Sequence, residues 1–421
     1  MQLRNMTLYS IFIRNFGGTF AAVEADLPRI RALGVDAIWL LPIHPIGTEK
    51  RKGSLGSPYA IDDYRAINPE FGTMDDFVRF CGTAHALGLK VLIDAVYHHT
   101  SPDSVLVKTH PEYFYRKPDG SFGNHVGEWT DIIDLDFSAR PLWDELIDTL
   151  CFWAKYVDGF RCDVASLVPL DFWLEARERV ETVRPGCIWL AESVEHDFIR
   201  YNRAQGLDAL SDSELYRAFD ICYDYDVYPE YVAYAEGRIP LAEYIAALVR
   251  QESTYPADYV KLRFTENHDR PRTAALFPDR VTRENWIAWT FFQKGMPLLY
   301  CGQEWADDHL PTLFDPDPIA REGEPVHAPL LRKLIAMKKD PLFSDGVYAI
   351  EARPDDTVVS TWTLGDRKAV GIFRLRGTPG SVEVPLPDGT HCDLLSGRGC
   401  RVQDGVLFSP GDPLIFLSNK R

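Results

Sequence analysis

The sequence predicts an α/β fold in which eight parallel strands alternate with helices and close into a barrel, followed by a small all-β domain. Short apolar runs alternate with segments of helical period over residues 7–340, and eight such pairs are present. From residue 346 short runs separated by turn residues replace the helical period. The alternative is an open doubly wound sheet. That fold calls for a GxGxxG motif after the first strand, where this chain has GGTF.

One long insertion interrupts the first half of this pattern. Strands are predicted over residues 7–16, 36–43 and 89–96, and helices over residues 22–34 and 73–88. The second strand, DAIWLLPI, is apolar throughout after its first residue, Asp36, as expected of a parallel strand buried on both faces. After the third strand, residues 101–137 contain prolines, glycines and aromatic residues and few helix signals. The segment is too long for an ordinary connection, and such insertions are usually functional.

The second half continues the alternation without a comparable break. Strands are predicted over residues 157–164, 187–193, 219–227, 259–269 and 297–304. Helices are predicted over residues 141–156, 170–183, 239–251, 283–294 and 329–339, and helical material also lies between the strands at 187–193 and 219–227. The short runs of the last part predict a β-sandwich. The predicted domains are therefore a barrel formed by residues 1–100 and 138–342, an inserted domain at 101–137 and a C-terminal sandwich at 343–421.

Composition and charge narrow the class of protein. The chain has 421 residues, of which 46% are hydrophobic, and a formal net charge of −17. This charge argues against nucleic acid or an anionic membrane as a partner. The N-terminus lacks the features of a signal peptide, and the eight cysteines form no CxxC motif, so we expect a cytoplasmic protein with buried free thiols. The oligomeric state is left open.

The stretch VDGFRCDVAS, residues 157–166, contains the most informative charged pair. Arg161 and Asp163 are two positions apart in a predicted strand and so point to the same face. Buried charges are costly without partners, and the simplest interpretation is a structural salt bridge. Three other predicted strands, however, also end in polar residues: Asp94 with His99, Glu192, and His268 with Asp269. We therefore expect one functional site at the carboxyl ends of the strands.

These residues resemble the signature segments of the α-amylase family, glycoside hydrolase family 13. The matching segments are DAVYHH at 94–99, GFRCD at 159–163, Glu192 after WLA, and NHD at 267–269. GMPLLYCGQE and SPYAIDDYRAINPEFGT are similar to two accessory stretches. The resemblance covers residues 7–340 and implies a (β/α)8 barrel, with a short domain B after the third strand and a C-terminal β-sandwich. It also implies cleavage of α-glucosidic bonds with retention, which needs two carboxyl groups about 5–5.5 Å apart.

The resemblance implies a role for each matching residue. Asp163 would be the nucleophile, Glu192 the acid/base and Asp269 the carboxylate that holds hydroxyls of the distorted sugar. Arg161 would keep Asp163 ionised, and the apolar run IWLA would disfavour the charge of Glu192. The substrate-binding residues would be Tyr59, His99, Arg161 and His268, with Asp94 positioning Arg161. Tyr97, His98 and Glu304 are expected to be structural, while Trp129 and Phe122 either stack on sugars or form the core of the insertion.

Departures from the family pattern shape the remaining expectations. The family has an asparagine that helps bind calcium where this chain has His98, and histidine is a poor ligand for that cation, so no metal and no cofactor are predicted. Ser166 and Leu167 replace a Lys-His pair that contacts the leaving-group sugars. We expect a hydrolase of α-1,4-linked malto-oligosaccharides. The alternatives are a transglycosylase of the family, such as a 4-α-glucanotransferase or a trehalose-forming isomerase, and a non-catalytic carbohydrate-binding or partner protein.

Overall fold

Eight short parallel strands close into a barrel at the centre of the chain. The computed structural model describes residues 2–419. The strands pair in the closed order β1-β8-β7-β6-β5-β4-β3-β2, which confirms the predicted barrel. Their bounds are β1 Leu8–Ile11, β2 Ala37–Leu40, β3 Lys90–Ala95, β4 Gly159–Cys162, β5 Ile188–Ala191, β6 Ile221–Tyr223, β7 Lys261–Arg263 and β8 Met296–Tyr300.

The strands are shorter than the apolar runs that predicted them. The first run continues past β1 into a helical turn, Ile13–Phe16, and the seventh predicted strand keeps only the three residues of β7. The residues beyond the ladders remain apolar because they are buried: Phe12, Ile13 and Phe16 are at most 1% exposed. Burial, rather than strand pairing, therefore sets the length of an apolar run in this chain.

Helices surround the barrel and pack their apolar faces on it. Phe20–Leu33 begins at Thr19, whose hydroxyl accepts the Ala22 N–H at 3.2 Å, and ends at Gly34 in a left-handed conformation. The other helices of at least eight residues are Met74–Ala86, Arg140–Trp153, Leu170–Val183, His196–Ala204, Tyr228–Ala235, Leu241–Thr254, Arg280–Phe292 and Ala328–Lys338. Shorter helical pieces are Leu3–Asn5, Val105–Thr109, Pro111–Tyr113, Ala165–Leu167, Asp212–Leu215, Tyr225–Val227, Thr273–Leu276, Gln303–Trp305 and Leu342–Asp345. Within residues 2–419, no helix combines the length and apolarity needed to cross a bilayer.

The insertion after β3 is held by a small ladder of its own. His99–Thr100 pairs antiparallel with Ile133–Asp134, so the segment leaves and returns at the same place beside the barrel. It also contacts the loop after β2, because the Thr48 hydroxyl donates to Asp103 Oδ2 at 2.6 Å. The insertion is therefore fixed to the mouth of the barrel at the carboxyl ends of the strands.

The C-terminal part contains two antiparallel four-stranded sheets. Their orders are β9-β10-β11-β16 and β12-β15-β14-β13. Alternate residues of the first sheet face opposite ways: Trp362 donates to the Phe292 carbonyl of a barrel helix at 2.7 Å, while Val359 packs in the core between the two sheets. The strands are β9 Val347–Arg353, β10 Thr357–Leu364, β11 Arg367–Arg374, β12 Gly380–Glu383, β13 Gly389–Cys392, β14 Gly399–Gln403, β15 Val406–Ser409 and β16 Leu414–Asn419.

Candidate active site

Arg161 connects three carboxylates at the carboxyl ends of adjacent strands. Its side chain on β4 is 1% exposed. Nη1 lies 2.7 Å from Asp94 Oδ1 on β3 and 2.7 Å from Asp163 Oδ1, and Nη2 lies 2.7 Å from Glu192 Oε1. Strand register explains the arrangement, because Asp94 pairs directly with Arg161 across the parallel ladder. The structure therefore places Asp94 behind Arg161 and a carboxylate on each terminal nitrogen.

The backbone fixes Asp163 and Glu192 by extending the barrel ladders one residue beyond the strands. The Asp163 N–H donates to Ala95 O, and the Glu192 N–H donates to Cys162 O, both at 3.0 Å. Val164, next to Asp163, has φ +35°, an uncommon conformation for a β-branched residue. Its N–H donates to Glu192 Oε2 at 2.7 Å. The strained turn thus aims a backbone donor at the second carboxylate, and strain of this kind is concentrated at functional sites.

Burial shifts the pKa values of these acids upward. Desolvation is the largest effect on Glu192 and raises its pKa to about 7; Arg161 opposes the shift, while the Asp163 and Asp269 carboxylates add to it. Desolvation also raises the pKa of Asp163 to about 6, with Arg161 again opposing it. The pKa of Asp94 is raised to about 6 for the same reason. Of the three acids, Glu192 therefore holds a proton most readily. Burial at the end of the apolar run IWLA outweighs the contact of its carboxylate with the Arg161 guanidinium.

Asp269, His268 and Tyr59 form a second group beside the first. His268 Nε2 lies 3.0 Å from Asp269 Oδ2 and 2.7 Å from the Tyr59 hydroxyl, and the Tyr59 and His268 rings stack at 5.8 Å. Desolvation opposes the charge of both His268 and Asp269, but their contact outweighs it, raising the pKa of His268 and lowering that of Asp269. With 44% of its side chain exposed, Asp269 remains an ionised group open to a ligand.

His99 and Trp129 connect the insertion to the site. His99 Nε2 lies 3.9 Å from Asp163 Oδ2, and the Trp129 ring lies 5.6 Å from the His99 ring. Burial lowers the pKa of His99 to about 4, so its imidazole is neutral near pH 7. Phe122 instead packs on Phe114 and beneath Arg116, within the insertion. Of the two aromatic residues left open by the sequence, only Trp129 borders the site.

A cavity of about 420 Å³ lies above these groups, within the range of about 300–1,000 Å³ common for small-molecule sites. The predicted residues divide into two sets around it. Three of them lie beneath the cavity and hold the other side chains in place: Arg161, Asp94 and His268. Of these, Arg161 and His268 were expected to bind substrate. The predicted residues that line the cavity are Tyr59, His99, Asp163, Glu192 and Asp269.

The comparison with known families agrees with this geometry. The family model described as "Alpha amylase, catalytic domain" matches residues 7–121 and 125–315, well over half of the chain. The chain belongs to the α-amylase family. A second model, "Bacterial Alpha amylase C-terminal domain", matches residues 349–416, where the two antiparallel sheets lie. The resemblance inferred from the signature segments is confirmed.

Two solved structures of the α-amylase family superpose over nearly the whole chain. An α-amylase from Lactobacillus plantarum is 47% identical, with a TM-score of 0.96 and 99% coverage of both chains. A noncanonic maltogenic α-amylase, AmyB from Thermotoga neapolitana, is 35% identical, with a TM-score of 0.88 and complete coverage of both chains. These similarities extend the relationship to both the barrel and the C-terminal sheets.

Curated relatives of the α-amylase family match over shorter parts of their length. An α-1,4-glucan:maltose-1-phosphate maltosyltransferase from Rhodospirillum rubrum is 34% identical over 271 residues, which are 59% of this chain and 36% of the relative. The α-amylase MalA from Haloarcula japonica is 28% identical over 93% of this chain and 58% of its own length. The chain thus spans less than two thirds of these relatives.

His98 and its neighbours occupy the position at which the resemblance implies the family's calcium site. His98 Nδ1 lies 3.2 Å from His99 Nδ1 and 3.7 Å from Asp134 Oδ1. The other oxygen of Asp134 accepts the His125 N–H at 2.7 Å. One carboxylate among imidazole nitrogens does not fit Ca²⁺, which takes six to eight oxygen ligands. In the described part of the chain, residues 2–419, no group of three or more His, Cys, Asp or Glu residues is suited to a metal ion.

Other cavity residues were missed by the sequence analysis. Arg270 forms an ion pair with Glu195 at 2.7 Å and lies over the rings of Tyr225 and Tyr228. Arg270 follows Asp269 directly in the sequence, and this position could have indicated that it lies at the site. No local signal connects Lys52 to Asp131, which form an ion pair at 2.9 Å across 79 positions of the sequence. Such pairs depend on how two loops meet.

Proposed function

We propose that the protein is a retaining α-glycosidase that hydrolyses α-1,4 bonds in malto-oligosaccharides. The observation that carries the proposal is the single buried guanidinium of Arg161, which contacts Asp163 through one nitrogen and Glu192 through the other. One guanidinium between the two carboxyl groups is consistent with the separation of about 5–5.5 Å used by retaining enzymes. Both acids border the same cavity, so one sugar can contact both.

Asp163 and Glu192 divide the chemistry according to their protonation. Asp163, with the lower pKa, attacks the anomeric carbon while ionised and forms a glycosyl ester. Glu192, with the higher pKa, donates its proton to the oxygen of the leaving sugar. In the second step Glu192 removes a proton from water, which attacks the same carbon and releases Asp163. Arg161 holds both acids in place throughout.

The second group binds and distorts the sugar. The ionised Asp269 accepts hydrogen bonds from ring hydroxyls, and these strengthen as the sugar flattens toward the oxocarbenium-like transition state. The Tyr59 ring borders the cavity, where a sugar face can stack on it, and His268 fixes the Tyr59 hydroxyl from below. His99, neutral near pH 7, donates to or accepts from a hydroxyl beside Asp163.

Transglycosylation is the second candidate function, and it is supported by the similarity to relatives named as maltosyltransferases. Incubation with maltoheptaose, followed by chromatography over time, separates the candidates. Only shorter sugars indicate hydrolysis, whereas sugars longer than maltoheptaose indicate transfer to a sugar acceptor. No product from a folded protein would refute both and favour a carbohydrate-binding protein.

Two further features belong to this proposal. The enzyme works without calcium, and the His98, His99 and Asp134 contacts described above support this. It acts in the cytoplasm on short α-glucans; five of its eight cysteines are buried free thiols, which are typical of a reducing compartment. Loss of activity on dialysis against a chelator, restored by Ca²⁺, would contradict the first feature.

A further inference from the structure

The cavity has two distinguishable ends in the proposed reaction. Glu192 gives its proton to the leaving sugar, so the residues that follow it mark the leaving-group end. Val194 and Phe198 lie there and pack with Trp129 as an apolar surface. Around the closed barrel, β5, whose end carries Glu192, is four strands away from β1, and β2 and β8 flank β1. The loop that leads from β2 into Tyr59 therefore lies across the barrel mouth from Glu192, together with residues 313 and 314 of the loop after β8, which also line the cavity. The non-reducing part of a substrate chain extends toward that side.

Direct hydrogen bonds join the β2 and β8 loops at this end. The Leu55 N–H donates to Phe314 O at 2.9 Å, and both the N–H and the hydroxyl of Ser54 donate to Asp315 Oδ1, at 2.8 and 2.6 Å. The buried Arg14 supports the junction from below, since its Nη1 donates to Gly56 O at 3.2 Å and to Leu313 O at 2.8 Å. The two loops therefore form one continuous wall.

Gly53 shows how closely the loops approach. A Cβ at this position would lie 2.6 Å from Phe314 Cβ and 2.8 Å from Phe314 O, and the residue has φ +63°. Any side chain would meet both a steric clash and backbone strain. The close contact between the loops thus depends on a glycine and leaves no space for a sugar chain to pass between them.

The insertion closes the same end from the other side. Lys52 Nζ forms an ion pair with Asp131 Oδ1 at 2.9 Å, and both residues border the cavity. The Asp131 side chain is only 5% exposed, whereas that of Lys52 is 35% exposed. The Thr48 N–H and hydroxyl donate to Asp103 Oδ2 at 2.9 and 2.6 Å, which fixes the β2 loop on the insertion.

We propose that these contacts make the enzyme act from the non-reducing chain end. The glycone wall, formed by residues 52–55, Asp131 and residues 313–315, ends the cavity after a short stretch of sugar, so an internal segment of a long chain cannot thread through. The partly exposed ammonium of Lys52, held in place by the buried Asp131 carboxylate, can donate to the terminal hydroxyls, which only a chain end presents. The inference rests on the proposed hydrolysis and adds its chain-end specificity.

Two maltoheptaosides test the wall, one with a free non-reducing end and one with that end blocked by a 4,6-O-ethylidene group. Products are followed by chromatography. We expect the blocked compound to be cleaved at least about 100-fold more slowly, because the added group meets the wall. Equal rates would overturn the inference and leave hydrolysis standing, whereas no cleavage of either compound would refute the hydrolysis itself.

Variants of the wall complete the test. The Lys52→Ala/Asp315→Ala double variant removes the Lys52–Asp131 ion pair and the two Ser54–Asp315 hydrogen bonds. This should raise the rate on the blocked compound, relative to the free one, by about tenfold or more. Asp119→Ala is the matched control, because Asp119 accepts the N–H and hydroxyl of Ser121 at 2.9 and 2.6 Å on the exposed insertion, as Asp315 does for Ser54. An unchanged ratio in a folded double variant would overturn the role of these contacts.

Discussion

Replacing Glu192 by glutamine should remove the acid while keeping the shape of the site. Glu192 contacts Arg161 Nη2 at 2.7 Å and accepts the Val164 N–H at 2.7 Å, and the glutamine amide can satisfy only one of these donors. The lost hydrogen bond should lower the free energy of unfolding by about 1–3 kcal/mol. The loss of the proton donor should lower kcat by about 10²–10⁴-fold, or about 3–5 kcal/mol in the activation barrier.

The assay compares two substrates and one matched variant. Maltoheptaose needs protonation of its leaving oxygen, whereas α-maltosyl fluoride has a leaving group that departs without it, so Glu192→Gln should lose far less activity on the fluoride. Glu304→Gln is the control, because Glu304 is also a buried glutamate that contacts an arginine, Arg29 at 2.9 Å, and accepts the Tyr9 hydroxyl at 2.6 Å, but it lies outside the cavity. It should lose stability and keep kcat. A folded Glu192→Gln enzyme with near-normal kcat on maltoheptaose would refute the assignment.

Three further predictions concern charge. The pH profile of kcat/KM should rise as Asp163 ionises near pH 6 and fall as Glu192 loses its proton near pH 7. Asp94→Asn should move the acid limb to lower pH, because the Asp94 carboxylate raises the pKa of Asp163. A flat profile would contradict the roles of Asp163 and Glu192. EDTA should leave the melting temperature unchanged, since His98 offers nitrogen rather than oxygen; a fall of several degrees that Ca²⁺ reverses would argue otherwise. Lys261→Ala should lower the free energy of unfolding in urea by about 3–5 kcal/mol, because Asp212 and Asp226 would lose their buried cation; a loss under about 1 kcal/mol would show that the pair reorganises.

The architecture was predictable because the barrel follows a simple pattern of burial. β2 is apolar at every position, and the polar residues stand where the strands end, so both the number of strands and the site's end of the barrel could be inferred. The residues at which the strands end could not be predicted, since Phe12 and Ile13, beyond the end of β1, are as buried as the residues of β1 itself. A one-dimensional pattern records burial and does not record where the hydrogen-bonded ladder stops.

The acidic residues of the site could be predicted from the sequence, but the contacts of the residues around them could not. Arg161 and Asp163 share a strand face, and their contact follows from that spacing alone. The place of His268 beneath Tyr59, rather than on the cavity surface, depends on the packing of two loops. The same holds for Lys52 and Asp131, whose meeting closes one end of the cavity. Distances along the sequence carry no information on these contacts.

The charge of the central cluster explains how one arginine serves both steps of the reaction. Arg161 faces three acids, so full ionisation would leave two uncompensated negative charges in a buried site, and Glu192, with its pKa near 7, retains a proton. When Asp163 forms the glycosyl ester, its charge disappears and Glu192 gains one by donating its proton. The cluster therefore keeps two carboxylates against one guanidinium. Because the charge of Asp163 was raising the pKa of Glu192, its loss lowers that pKa and leaves Glu192 ionised to accept the proton of the attacking water.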